Sequence, residues 1–249
     1  KTKRGGTKHY YHATSNAARD AWMAAVVETA MAVKKDKSIT KGHSAFELTY
    51  DMMLGIRTTV ITAEQTAAEA AASGTDYGLS EADFQAKTKL HFPAKGSTEC
   101  PPHRMRDFNF TDYAPSVMQK VRHRFGVDPT EYLLDVCGNF QYLEFVSNSK
   151  SGEFFFFSHC RKYMIKTISM PECKTLRELL SDYYSHVATH RNTLLARFFG
   201  LHKVRIVGKK AICFLIMASV FPPTAQMSRV YDLKGSTYKR SASRRDKEQ

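Results

Sequence analysis

An α+β fold is predicted for this chain: an antiparallel β-sheet with flanking helices, entered through a helical N-terminal extension. Three observations predict it. Apolar residues recur at helical spacing ahead of residue 138. Short aromatic and β-branched runs separated by turn residues follow it. One strongly amphipathic segment then interrupts those runs.

Residues 1–12 are basic, carry Gly5 and Gly6, and read as irregular. With Ser15 or Asn16 as cap, Trp22, Val26, Ala30 and Val33 form one stripe, and Lys34 and Lys35 suit the negative end of a helix. A second helix is expected over 44–54, ending before Gly55. Residues 63–72 are alanine-rich and helical by propensity, and 73–78 break them. Pro93, Pro101 and Pro102 make 93–103 a loop. Val117, Val121 and Phe125 recur every four residues, which predicts a helix over 113–125 stopped by Gly126. A shorter helix starts near Pro129 and ends before Gly138.

Segments 142–146, 153–158 and 162–168 read as consecutive antiparallel strands. Leu176, Leu179, Leu180, Tyr183, Tyr184 and Val187 share one face of a helix. Residues 204–207 and 211–220 are two more strands, joined at Gly208 and ended by Pro222 and Pro223. The expected organisation is a basic segment and helix over 1–41, a helical extension and loop over 42–104, and a further unit over 105–249.

The chain has 249 residues, 43% of them apolar and 24% charged, enough for a packed core. Its formal charge of +13 points to an anionic partner: nucleic acid, a nucleotide or an acidic membrane. Five cysteines, an odd number with no CxxC pair, predict reduced thiols in a cytosolic compartment. The apolar stretch 211–221 is shorter than a membrane span, which needs about 18 residues. The chain opens with Lys1 and ends in a charged stretch, so it is expected to be cut from something longer, and an upstream membrane domain stays open.

Three segments carry candidate chemistry. Residues 147–152 (Ser-Asn-Ser-Lys-Ser-Gly) are a small polar turn between strands, whose backbone amides suit phosphate, although a plain hairpin turn accounts for them too. Lys166 falls mid-strand on the face of Met164 and Ile168, where it must meet an anion or snorkel to the sheet edge. Turn, strand, lysine-bearing strand, then a helix with Glu172 and Glu178 is the order of a kinase N-lobe. Residues 231–240 (Tyr-Asp-Leu-Lys-Gly-Ser-Thr-Tyr-Lys-Arg) join Gly235 to Lys234, Lys239 and Arg240, and read either as a ligand loop or as a solvated basic one. His186 and His190 have metal-ligand spacing, but a solvated helix face is the better account, so no metal ligand is assigned. GxSxG, RNP and zinc-finger patterns do not occur, and no nucleic-acid partner is expected.

The motif set resembles the phosphatidylinositol phosphate kinases. It comprises Asp107-Phe-Asn-Phe-Thr-Asp-Tyr-Ala-Pro115, Phe125-Gly-Val-Asp128 with Tyr132-Leu133, Ser151-Gly152 before Phe154-Phe155-Phe156, Ile165-Lys166-Thr167, Thr193-Leu-Leu195 with Phe198-Phe-Gly-Leu201, and the 231–240 segment, in family order. The type I, 4-phosphate 5-kinase branch is the most similar. The resemblance implies a kinase-like N-lobe and transfer of the ATP γ-phosphate, with Mg²⁺, to phosphatidylinositol 4-phosphate. Lys166, Lys234 and Asp232 would be catalytic. Ser149, Lys150, Ser151, Gly152, Lys166 and Met217 would hold ATP, Lys234, Lys239 and Arg240 the lipid headgroup, and Glu172 would orient Lys166. The family's catalytic and metal-binding aspartates are expected beyond Gln249, so the fragment alone is expected to be inactive. Ser149 and Glu153 replace the family's usual glycine and serine, and the segment after Met217 reads Ala218-Ser219 where the family usually has asparagines. Ser149 and Glu153 motivate an alternative: an inactive phosphoinositide- or membrane-binding scaffold of the same fold. The expected partners are ATP, anionic membrane phosphoinositides and a second copy in a homodimer. The expected location is cytoplasmic, peripheral on the inner membrane face.

Overall fold

Alternating burial builds the sheet. In the strand Tyr163–Ile168, Tyr163 and Ile165 are buried while Met164 and Lys166 between them are half-buried, the pattern of a strand with one fully covered face. The computed structural model describes residues 31–32, 37–75, 78–98, 100–103, 105–138, 141–145, 154–221 and 228–229. Two units are distinguished, one covering Lys35–Pro223 and the other Lys1–Lys34 with Thr224–Gln249. In the second of these, β1 (Met31–Ala32) pairs antiparallel with β10 (Ser228–Arg229). The helix expected to run through residues 31–35 is therefore corrected at 31–32, where cross-strand pairing overrides helical spacing. The rest of that helix lies outside the described residues.

The Lys35–Pro223 unit is an eight-stranded antiparallel sheet with helices. Its strands are β2 (Lys37–Ser38), β3 (Lys87–Phe92), β4 (Phe108–Tyr113), β5 (Leu143–Phe145), β6 (Phe155–Phe157), β7 (Tyr163–Ile168), β8 (Phe198–Ile206) and β9 (Ile212–Ala218). They lie in the order β2-β5-β6-β7-β9-β8-β4-β3. The helices are α1 (Phe46–Ala72), α2 (Glu81–Gln85), α3 (Pro115–Arg124), α4 (Pro129–Cys137), α5 (Met170–Glu178) and α6 (Leu180–Thr189). Strands β5, β6 and β7 are the consecutive antiparallel strands that the sequence predicts. Strands β3 and β4 and helix α2 have no sequence-based expectation, and β8 starts six residues before the expected one.

One face of the sheet and α1 form the main core, with Phe108, Phe110, Val204, Phe214, Ile216, Ile165 and Phe156 against Met52, Ile56 and Val60. Helix α1 runs for 27 residues straight through Gly55, correcting the expected pair of helices. Gly55 is a contact point: an ideal Cβ there would lie 2.1 Å from Cδ2 of Phe110. Helix α1 ends as expected, in the turn around Gly74, which has φ +67°. Helix α3 starts on Pro115 and is stopped by Gly126 at φ +69°. Asp128 caps α4 by accepting from the Glu131 amide at 2.9 Å. The single amphipathic helix expected after β7 is two, α5 and α6, broken at Leu179. The break lets Cys173 and Leu180 both reach the second core, on the opposite sheet face, where Tyr113, Leu201, Cys213, Leu215 and Ile168 meet.

Asp51 is a buried acid on α1, among residues that pack the main core. It is fully buried on α1, and neither carboxyl oxygen has a hydrogen-bond partner among the described residues. Burial raises its pKa to about 8, with the Glu47 carboxylate one turn away adding to the shift and Lys209 opposing it. The folded state thus keeps a proton that the unfolded chain releases near the usual carboxyl pKa of about 4. Stability from this group is complete in acid, falls as pH rises from about 4, and levels off above about 8. Asp51→Asn should remove that slope, so the wild-type and variant denaturation midpoints should diverge between pH 5 and 8. Parallel midpoints across that range would mean that Asp51 is not held neutral.

Candidate functional site

The lysine singled out by its place in an apolar strand occupies the middle of β7, between β6 and β9. Lys166 stands opposite Phe155 on one side and Leu215 on the other. Directly opposed residues share a face in an antiparallel sheet, so one row runs Phe155, Lys166, Leu215, Leu201, Tyr113, Lys87 across the sheet. The side chain of Lys166 is 25% exposed, and its ammonium lies 5.6 Å from the centre of the Phe155 ring, in cation–π range. The lysine therefore sits at the margin of an apolar face without being sealed in it.

The acid beside it is Glu172. Its Oε1 is 3.9 Å from Lys166 Nζ. Its other oxygen accepts from the Ser169 amide at 2.7 Å and from the Ser169 hydroxyl at 2.6 Å, closing a capping box at the start of α5. One carboxylate thus pins the helix start with one oxygen and presents the other to the lysine. The box holds the acid in place as the loose ion pair alone does not. Ser169 and Phe155 are the site residues that sequence reasoning missed. The Ser-x-x-Glu spacing of 169–172 signals the first, and the second needs the strand register.

Met217 lies on the same face, opposite Met164 and in the row next to Lys166 and Leu215. Its side chain is half-buried. The structure thus brings Lys166, Glu172 and Met217 to one sheet face. Ser149, Lys150, Ser151, Gly152 and Glu153 lie outside the described residues, as do Asp232, Lys234, Lys239 and Arg240. The His186 ring and the Thr193 hydroxyl share a hydrogen bond at 2.8 Å. Among the described residues no cluster of three metal-ligating side chains occurs, and no helix is long and apolar enough to cross a membrane.

The same sheet face carries a second electrostatic feature. Lys87, Lys89 and His91 alternate along edge strand β3, all exposed, and stand opposite Tyr113, Thr111 and Asn109. Thr111 and Asn109 stand in turn opposite Lys203 and Arg205. The result is a basic field extending from the Lys166 row to the sheet edge.

An antiparallel sheet whose middle strand bears a lysine, followed at once by a capped helix that offers the lysine a carboxylate, is a kinase-like N-terminal lobe. Comparison with known proteins makes this particular. Residues 136–249 match the family described as phosphatidylinositol-4-phosphate 5-kinase. Phosphatidylinositol 4-phosphate 5-kinase 1 of Arabidopsis thaliana is 37% identical over 86% of this chain and 27% of its own length. Phosphatidylinositol 4-phosphate 5-kinase 6 of the same plant is 38% identical over 87% of the chain and 30% of itself. The its3 kinase of the same name from Schizosaccharomyces pombe is 38% identical over 80% and 26%. Over these stretches the chain is similar to the phosphatidylinositol 4-phosphate 5-kinases. It spans about a quarter of the length of these curated relatives.

Proposed function

We propose that the protein is a lipid kinase that moves the γ-phosphate of ATP to phosphatidylinositol 4-phosphate, giving the 4,5-bisphosphate. The observation that carries this is the cation of Lys166, fixed mid-sheet with the Glu172 carboxylate 3.9 Å away. Phosphoryl transfer is catalysed by positioning and charge neutralisation, and a lysine held by an acid supplies both to the phosphates of a nucleotide. Met217, one row away, suits the adenine side of such a ligand. On this reading Ser149, Lys150, Ser151 and Gly152 cover the phosphates, with Mg²⁺ accompanying ATP. Lys234 and Asp232 act at the transferred group, and Lys239 and Arg240 meet the headgroup. Residues 105–249 are then the N-terminal part of the catalytic domain, preceded by the extension at 42–104 and the basic segment at 1–41.

The protein extended to the length of its relatives, given radiolabelled ATP and vesicles of phosphatidylinositol 4-phosphate, should yield labelled bisphosphate. Absence of product, together with no ATP/Mg²⁺-dependent rise in thermal midpoint but intact vesicle binding, would replace the kinase with an inactive scaffold.

Peripheral attachment to an anionic bilayer is part of the same proposal. Lys87, Lys89 and Arg205 are exposed on one face. Each basic side chain near an acidic surface contributes about 1 kcal/mol. Replacing the three by Gln should therefore weaken binding to acidic vesicles about a hundredfold. The wild-type affinity should also fall as salt rises. Unchanged binding by the triple variant would move the contact to another surface.

A further inference from the structure

We propose that Cys173 and Cys213 are a redox modification site, converted by hydrogen peroxide into a disulfide that ties helix α5 to strand β9. The two thiols come from different elements and meet in one apolar cluster with Tyr113, Ile168 and Leu215. Both are buried, at 3% and 1% exposure. A third sulfur joins them, since Cys213 donates to the Met170 thioether at 3.2 Å. Met170 is half-exposed at the first turn of α5. Met170 thus reaches from the surface to the Cys213 sulfur.

Local charge favours nucleophilic sulfur here. The influence of each thiol on the other lowers the pKa of Cys173 and raises that of Cys213, while burial pushes both up. Arg177 and Lys203 both act on Cys173 in the thiolate-favouring direction. These two cations stand over the Tyr113 ring, at 4.7 and 6.0 Å from its centre. Positive charge beside the sulfurs also opposes capture of a metal cation. Cys137 is the contrast: burial pushes its thiol up to about 12, and no second cysteine faces it among the described residues.

The chemistry balances with peroxide as the only added reagent. The Cys173 thiolate attacks one peroxide oxygen; an S–O bond forms, the O–O bond breaks and hydroxide leaves. The Cys213 sulfur then attacks the sulfenic acid; the S–S bond forms and the S–O bond breaks. The departing hydroxide takes the thiol proton as water. Two electrons pass from the sulfur pair to peroxide.

Glu172 precedes Cys173 directly, and Met217 is four residues beyond Cys213, so the bond would fix the spacing of the two elements that flank Lys166. The site itself stands whether or not the protein is a kinase, because its test reads sulfur. The chain is treated with peroxide, blocked with N-ethylmaleimide, and digested without reductant for mass spectrometry. A Cys173–Cys213 linked peptide, released by dithiothreitol and retained in Cys160→Ser, is the expected result. A thermal midpoint raised by about 5 °C or more should accompany it, and Cys173→Ser should lose both. Recovery of Cys173 and Cys213 as blocked thiols at a dose that oxidises half-buried Cys160 would overturn the proposal. So would sulfoxide at Met170 with no linked peptide. Neither readout requires a variant to fold.

Discussion

If the proposed lipid kinase reading holds, Lys166→Met in the protein extended to the length of its relatives is expected to lower kcat by about 10²–10³-fold or more while leaving the lobe folded. The magnitude follows from removing one preorganised charge from a site where catalysis is mainly electrostatic. The fold should survive because the lysine is 25% exposed and its neighbours Phe155 and Leu215 accept a straight-chain apolar side chain. Single-turnover transfer from labelled ATP, with far-UV circular dichroism as the folding control, makes the measurement. Glu172→Gln should give a smaller loss, about tenfold, because Gln keeps the shape of the capping box and removes only the charge that faces Lys166. An active Lys166→Met enzyme would remove this lysine from the mechanism. A Glu172→Gln enzyme as damaged as Lys166→Met would assign the acid more than an orienting task.

Gly55→Ala should destabilise the protein by about 2 kcal/mol, although alanine is the better helix former. Helix propensity favours Ala by about 1 kcal/mol. The added methyl group would sit 2.1 to 2.5 Å from three ring carbons of Phe110, far inside van der Waals contact. Phe110 cannot easily move. Its ring lies 5.3 Å from that of His202 and 6.0 Å from that of Phe214, centre to centre, in the buried core. Overpacking of this kind costs about 1–3 kcal/mol and sometimes more. Urea denaturation reads the change, and Gly55→Ala combined with Phe110→Leu should recover part of the loss. A stabilised Gly55→Ala protein would show that α1 shifts freely over the sheet, contrary to the packing described.

The parts of the fold that show in sequence are those whose signals are local. Val117, Val121 and Phe125 announce α3 because a helix face repeats within a few residues. The aromatic and β-branched runs announce β5, β6 and β7 because such residues favour strands and turn residues separate them. Gly55 misleads for the same reason. Read locally a glycine ends a helix, but here it admits the ring of Phe110 from a strand more than fifty residues away. Strand β3 has the right alternation, but Lys87, Lys89 and His91 make it polar on the open side, and only pairing with β4 declares it a strand. Lys166 was legible from its own strand. Its acid was legible from the order of lysine-bearing strand and acidic helix, whereas Phe155 and the basic field depend on register between strands.

The strand order has a cost during synthesis. Strand β4 leaves the ribosome paired only with β3, while its other neighbour, β8, pairs Arg205 with Asn109 from 96 positions downstream. At about 5–20 residues per second, that edge waits roughly 5–20 s for its partner. Phe108 and Phe110 are uncovered on that side in the meantime. A nascent chain with such an interval invites chaperone capture, so the yield of soluble protein should respond more to holdase supply than to the stability of the finished fold.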